Sequence, residues 1–76
     1  MNWNYRIIET EENGEIFLNI HEVYYDKDGT PNGYTENPVT VNGEVVEDLK
    51  WVLNKMIECL DKPILLGGEK FPQEKQ

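Results

Sequence analysis

The sequence predicts one α+β domain: a three-stranded antiparallel β-meander with one amphipathic helix packed on one face, and room for a short fourth strand after the helix. Three observations predict it. Apolar residues alternate through the first forty positions with a period of two, the spacing of a strand with one side buried. Asn-Gly dipeptides at Asn13-Gly14, Asn32-Gly33 and Asn42-Gly43 punctuate that alternation, and Asn-Gly suits turn positions that need positive φ. From residue 44 the period changes to three and four, that of a helix. A length of 76 residues allows one domain. Residues 1–66 are assigned to it, and the polar, glycine-led residues 67–76 to a flexible tail.

Residues 3–10, "WNYRIIET", set Trp3, Tyr5 and Ile7 on one side of a first strand. Residues 15–25, "EIFLNIHEVYY", set Ile16, Leu18 and Ile20 together, then slip phase at Val23 and Tyr25. A bulge near His21-Glu22 would restore the alignment. Residues 33–41 read as a third strand, held to an edge or broken at Pro38, which lacks an N–H. Val45, Val46, Leu49, Val52, Leu53, Met56, Ile57 and Leu60 then form an apolar helical stripe, so a helix is expected over residues 44–61. Glu44, Glu47 and Asp48 suit its positive end, and Pro63 stops it. "PILL", residues 63–66, is the candidate fourth strand.

Composition narrows the function classes. Fifteen acids against seven bases give a net charge of −8, which disfavours nucleic acid and anionic membranes and leaves a basic protein partner open. No apolar run approaches the ~20 residues of a membrane span. The start, "MNWNYRIIE", lacks the basic and apolar regions of a secretion signal. One cysteine, Cys59, can make no internal disulfide, so the expected compartment is cytoplasmic. A chain this short buries a small core, which favours help from a partner or a second copy.

Candidate sites were weighed residue by residue. "DKDG" from Asp26 resembles the start of a calcium loop, but position six is Pro31 and position twelve is Asn37, where such a loop needs Gly and Glu. Asp, Gly and Pro in this order make a turn. His21 and Cys59 lack the matched neighbours of catalytic groups, and no phosphate loop or metalloprotease motif is present. The expectation is therefore no enzyme, no cofactor, no metal and no evident small-molecule ligand, with a millimolar calcium site on Asp26, Asp28 and Glu36 or a small enzyme built on His21 and Cys59 as the third-ranked reading.

Two features point to protein contact. At 100° per residue, Trp51 falls opposite Leu49, Leu53, Met56 and Leu60, so it is exposed unless the C-terminal segment covers it. If the helix covers Ile16, Leu18, Ile20 and Val23, then Phe17, Asn19, His21, Tyr24 and Ile8 turn to an open second face. The expected interaction surface is Trp51, Phe17, His21 and Tyr24, serving a protein partner or a homodimer.

The strand order and the segment "NPVTVNGEVVEDLKWVLNKMIECL" resemble the HicB antitoxin domain. Pro38, Gly43, Glu47 and Asp48 stand where that family has its proline, its glycine and the acids opening its helix. Val39-Thr40 replaces the family's usual Gly-Cys, and Val45 its Ser or Thr. The likeness covers about residues 5–62 and implies, as an alternative to a general interaction module, a protein that masks a small basic ribonuclease. The pattern "WNYRI…IHEVYYD.DG.…YTENPV" is also similar to a family of small uncharacterised bacterial proteins, which implies a compact α+β fold.

Overall fold

A computed structural model describes residues 2–76. Among these residues the chain forms β1 (Asn2–Glu12), β2 (Glu15–Tyr25), β3 (Pro31–Tyr34), helix α1 (Val46–Glu58) and β4 (Leu65–Leu66). Short 3₁₀ turns occupy Cys59–Asp61 and Gly68–Lys70. The sheet runs β3-β2-β1-β4. β1, β2 and β3 are antiparallel, and β4 joins the far edge parallel to β1, so the sheet is mixed with four strands rather than a pure three-stranded meander. A parallel edge follows from the crossover: α1 carries the chain from one edge to the other, and it re-enters in the direction of β1.

Asn13-Gly14 makes the β1–β2 corner, with φ of 51° and 83°, the signature of a two-residue hairpin turn. The other two Asn-Gly pairs do not turn the chain this way. Asn32-Gly33 lies inside β3, and the corner before it is made by Asp26–Thr30, where Gly29 takes φ 86°. There Asp26 N–H donates to Thr30 O, and Thr30 N–H donates to the Asp28 carboxylate at 3.0 Å. The third strand is shorter than expected. It ends at Tyr34, and beyond it only single backbone bonds, Thr35 to Glu22 and Val39 to Ile20, tie the segment to the edge of β2. Pro38 interrupts the ladder there.

The expected bulge at His21-Glu22 is absent. β1 and β2 pair without a slip from Asn2↔Tyr25 to Glu12↔Glu15, and the one irregularity lies between β2 and β3 at Tyr24/Tyr25. The change of phase in β2 has a different cause: both faces of the sheet carry apolar side chains. Ile16, Leu18 and Ile20 lie on the face of Trp3, Tyr5 and Ile7, whereas Val23 and Tyr25 lie on the face of Ile8.

That second face holds the core. Ile8, Val23 and Leu65 are almost fully buried, with Tyr25, Tyr34 and Phe71 packed against them. The cover is the C-terminal segment. Gly67 N–H donates to Glu9 O, Leu66 N–H to Gln73 O and Lys75 N–H to Ile64 O, and Lys75 Nζ pairs with the Glu9 carboxylate at 2.5 Å. After the turn at Gly68–Lys70, Phe71 packs against the core and residues 73–75 pair alongside β4. Each buried aliphatic side chain contributes roughly 1.5–3 kcal/mol.

α1 sits on the opposite face and is shorter than the 44–61 stripe, because its last turn tightens to 3₁₀ at Cys59–Asp61. Its first residue is preceded by Val45, which offers no side-chain cap; Asp48 instead accepts from Glu44 N–H at 3.0 Å. Of its residues, all described, none is buried. Contact with the sheet runs through Trp51 and Trp3, whose ring centroids are 6.4 Å apart, and through buried Cys59.

Candidate functional site

The expected contact runs through the open sheet face, with Phe17, His21 and Tyr24, or through Trp51 on the helix; the structure divides these residues differently. Trp51 and Tyr24 belong to the α1 side, and Phe17 and His21 to the core side. Tyr24 is half-buried and donates its hydroxyl to Glu22 at 2.8 Å, a bond that raises the phenol above its ordinary value. Phe17 and His21 do share a face with Asn19 and Ile8; there Ile8 and His21 are buried, His21 at 4% exposed, while Phe17 is exposed.

On the α1 side, Trp51 is 50% exposed and leans on Trp3, which in turn meets Tyr5 edge-on at 5.2 Å. A cleft of about 210 Å³ opens between these rings, flanked by Lys55 and Lys62. Lys55 Nζ stands 5.9 Å from the Trp51 ring, a cation–π distance. The C-terminal segment does not line this cleft: no residue beyond Lys62 does.

The larger feature is the stripe itself. Cys59, Val52, Met56 and Leu49 face the sheet in whole or part, and the remainder of the apolar arc faces outward. Val46 is 62% exposed, Leu53 47%, Ile57 61% and Leu60 61%. On the same side of the sheet, Ile16 and Leu18 are 60% and 54% exposed. Trp51 packs against Trp3, at the end of the hairpin away from the Asn13-Gly14 corner. The sequence had marked this stripe as the inner side of the helix; two aliphatic arcs exist, and the sheet takes one.

On the core side, a groove of about 800 Å³ runs between the hairpin, β3 and the C-terminal segment. Phe17, Asn19, His21 and Tyr34 line its floor and several glutamates its rim. His21 Nδ1 lies 2.9 Å from Thr35 O. A carbonyl only accepts, so Nδ1 carries the proton. Tyr34 stands edge-on to the imidazole at 5.3 Å, and its hydroxyl accepts from Gly68 N–H at 2.8 Å.

Sequence reasoning missed Arg6. Its guanidinium is 8% exposed, donating from Nη1 to Tyr25 Oη and from Nη2 to Pro63 O, with Nε unpartnered. A buried arginine facing only neutral acceptors leaves no pattern in a strand that otherwise alternates normally. Among the described residues, no cluster of three His, Cys, Asp or Glu has the arrangement of a metal site. No helix is long and apolar enough to cross a membrane. Comparison with protein-family models, with curated proteins and with solved structures yielded no match.

Proposed function

We propose that this chain is a non-catalytic protein-interaction module that pairs with a second copy of itself through α1. The observation that carries the reading is the outward half of the helix stripe: Val46, Leu53, Ile57 and Leu60 lie in water at about half or more of their surface. From Val46 to Leu60 the ridge runs about 21 Å at 1.5 Å per residue. A row of exposed aliphatic side chains along one helix face is the kind of surface that marks a protein contact.

A second copy fits this patch better than an unrelated partner does. The four ridge side chains are uncharged, and Lys50 and Asp61, one of each sign, flank them a turn from Val46 and Ile57, so two identical ridges meet without net repulsion on this face. The monomer's own core is small, and pairing would bury the side chains it leaves out. The test is sedimentation velocity over a concentration series, with Ile57→Glu as the control. A concentration-dependent dimer that the variant abolishes without unfolding supports the reading; a monomer throughout removes it.

A second reading, an antitoxin-like protein that masks a small basic ribonuclease, draws support from the acidic groove on the other face. A small basic protein encoded beside this one would favour it, and a neighbourhood without one would tell against it.

A further inference from the structure

The core-side groove combines three properties that together define a ligand. The first is charge: Glu11, Glu12, Glu36 and Glu69 line it without an ion pair among the described residues, against Lys70 as the one base in the lining. The second is a flat apolar surface. Phe17 is 41% exposed there, and Tyr34 and Leu66 continue it. The third is His21. The residue is 96% buried (4% exposed), yet it lines the groove. Its Nδ1 faces the Thr35 carbonyl, which only accepts, so in the imidazole tautomer that fits this contact Nε2 is the acceptor, and Nε2 has no hydrogen-bond partner among the described residues.

An acceptor held in place at the floor, aromatic faces beside it and carboxylates around it ask for a planar cationic donor. We propose that this groove binds an extended basic peptide segment of another protein, with one arginine side chain inserted so that its guanidinium donates to His21 Nε2. A guanidinium offers five N–H donors in a plane and stacks on aromatic rings, which an ammonium does not do. The groove's volume of about 800 Å³ exceeds what one side chain fills, so flanking peptide occupies the rest while the glutamates meet its further charges. The arginine comes from a different protein: this chain has one, Arg6, and it is buried in its own fold. The site lies on the face away from α1, so it does not depend on the pairing proposed above.

The experiment is an NMR titration of the full ¹⁵N-labelled chain with a capped Gly-Ser-Arg-Ser-Arg-Gly peptide, with the same peptide carrying citrulline for arginine as the control. Citrulline keeps the shape and loses the charge. The expected result is saturable shifts at Phe17, Asn19, Tyr34 and Gly67, and a move of the His21 Nε2 resonance, which reports the new hydrogen bond directly. Citrulline should weaken binding at least tenfold. Phe17→Ala, at an exposed position that leaves the core intact, should weaken it several-fold, and so should the pair Glu36→Gln and Glu69→Gln. His21→Gln, if folded by amide dispersion, should lose the Nε2 contact and weaken binding about tenfold. No saturable shift, shifts spread evenly over the acidic surface, equal binding of the citrulline peptide, or an unmoved Nε2 resonance would each overturn the proposal. Agmatine run as a further arm should bind at least tenfold more weakly than the peptide; equal affinity would overturn the assignment to a peptide segment.

Discussion

The ring of Phe71 packs on that of Tyr34 with centroids 4.8 Å apart, and the two together roof the Ile8–Val23–Leu65 core. Phe71 comes from the last six residues of the chain and Tyr34 from the opposite edge strand, so this contact closes the fold across its full width. Replacing Phe71 by Ala should cost about 2–3 kcal/mol, at or below the low end of the roughly 3–5 kcal/mol for a fully buried Phe, since Phe71 is only half-buried. Urea denaturation would measure it, and removal of residues 71–76 should cost more because the bonds to Ile64 and Leu66 go as well. A loss below about 0.5 kcal/mol would mean the segment contributes little to the core.

Gly67 marks how closely that segment approaches. A methyl group added there would stand 2.9 Å from Ile8 Cγ2 and 2.9 Å from the Tyr34 hydroxyl. Neither can withdraw freely: Ile8 is fully buried, and Tyr34 is held by Gly68 N–H. Gly67→Ala should therefore destabilise by about 1–3 kcal/mol. Gly33→Ala, with open space and ordinary backbone, is the matched control and should be nearly neutral.

Arg6 lends itself to a paired comparison. Arg6→Ala removes two charge-assisted bonds and leaves a void, and should cost about 2–3 kcal/mol. Arg6→Met also removes the bonds, but it fills the volume and eliminates the buried charge and the unpartnered Nε. The methionine variant should be the more stable of the two in a thermal melt. The reverse order would show that the bonds to Tyr25 and Pro63 outweigh packing.

The pH dependence has a definite sign. Burial pushes the Cys59 thiol up, against the opposing pull of Arg6 and Lys62. Tyr5 is raised by burial first and by Glu22 second. Both groups hold their proton more tightly folded than unfolded, so their contribution is whole below the unfolded values, about 8.5 and 10. It is lost as pH rises through the folded values. Asp28 runs the other way: the Thr30 N–H bond lowers its carboxyl, so its share is present above about 3.9 and lost on acidification. The urea midpoint should be flat near neutrality and fall above about pH 9, and Cys59→Ala should remove the first part of that fall. A midpoint that rises with alkali would contradict the assignment.

Much of the fold can be read from the sequence because local rules decide it. Asn13-Gly14 turns the first hairpin, Asp26 to Gly29 make a turn, and the stripe from Val46 to Glu58 is helical. What could not be read depends on which surface covers which. The phase change at Val23 looks like a bulge when one apolar face is assumed; with two, the same residues need no slip. The glycines and charges of residues 67–76 suggest solvent, and only the pairing of Leu66 with Gln73 and the fit of Phe71 draw the segment onto the sheet. The helical angle of Trp51 sets it outside the stripe, yet its partner Trp3 sits 48 positions earlier, beyond any local pattern. Alternation in β2 groups His21 with Phe17, but nothing in that strand reveals that Thr35 fixes the imidazole.

The account turns on whether the outward ridge of α1 is where two copies meet. Isotope-filtered NOE spectra on an equimolar mixture of ¹³C-labelled and unlabelled chains test this without a mutation. Contacts between copies should appear among the methyl groups of Val46, Leu53, Ile57 and Leu60, with Ile16 and Leu18 at the margin. A spectrum with no contacts between copies at millimolar concentration, or with contacts confined to the Phe17–His21 face, would contradict it.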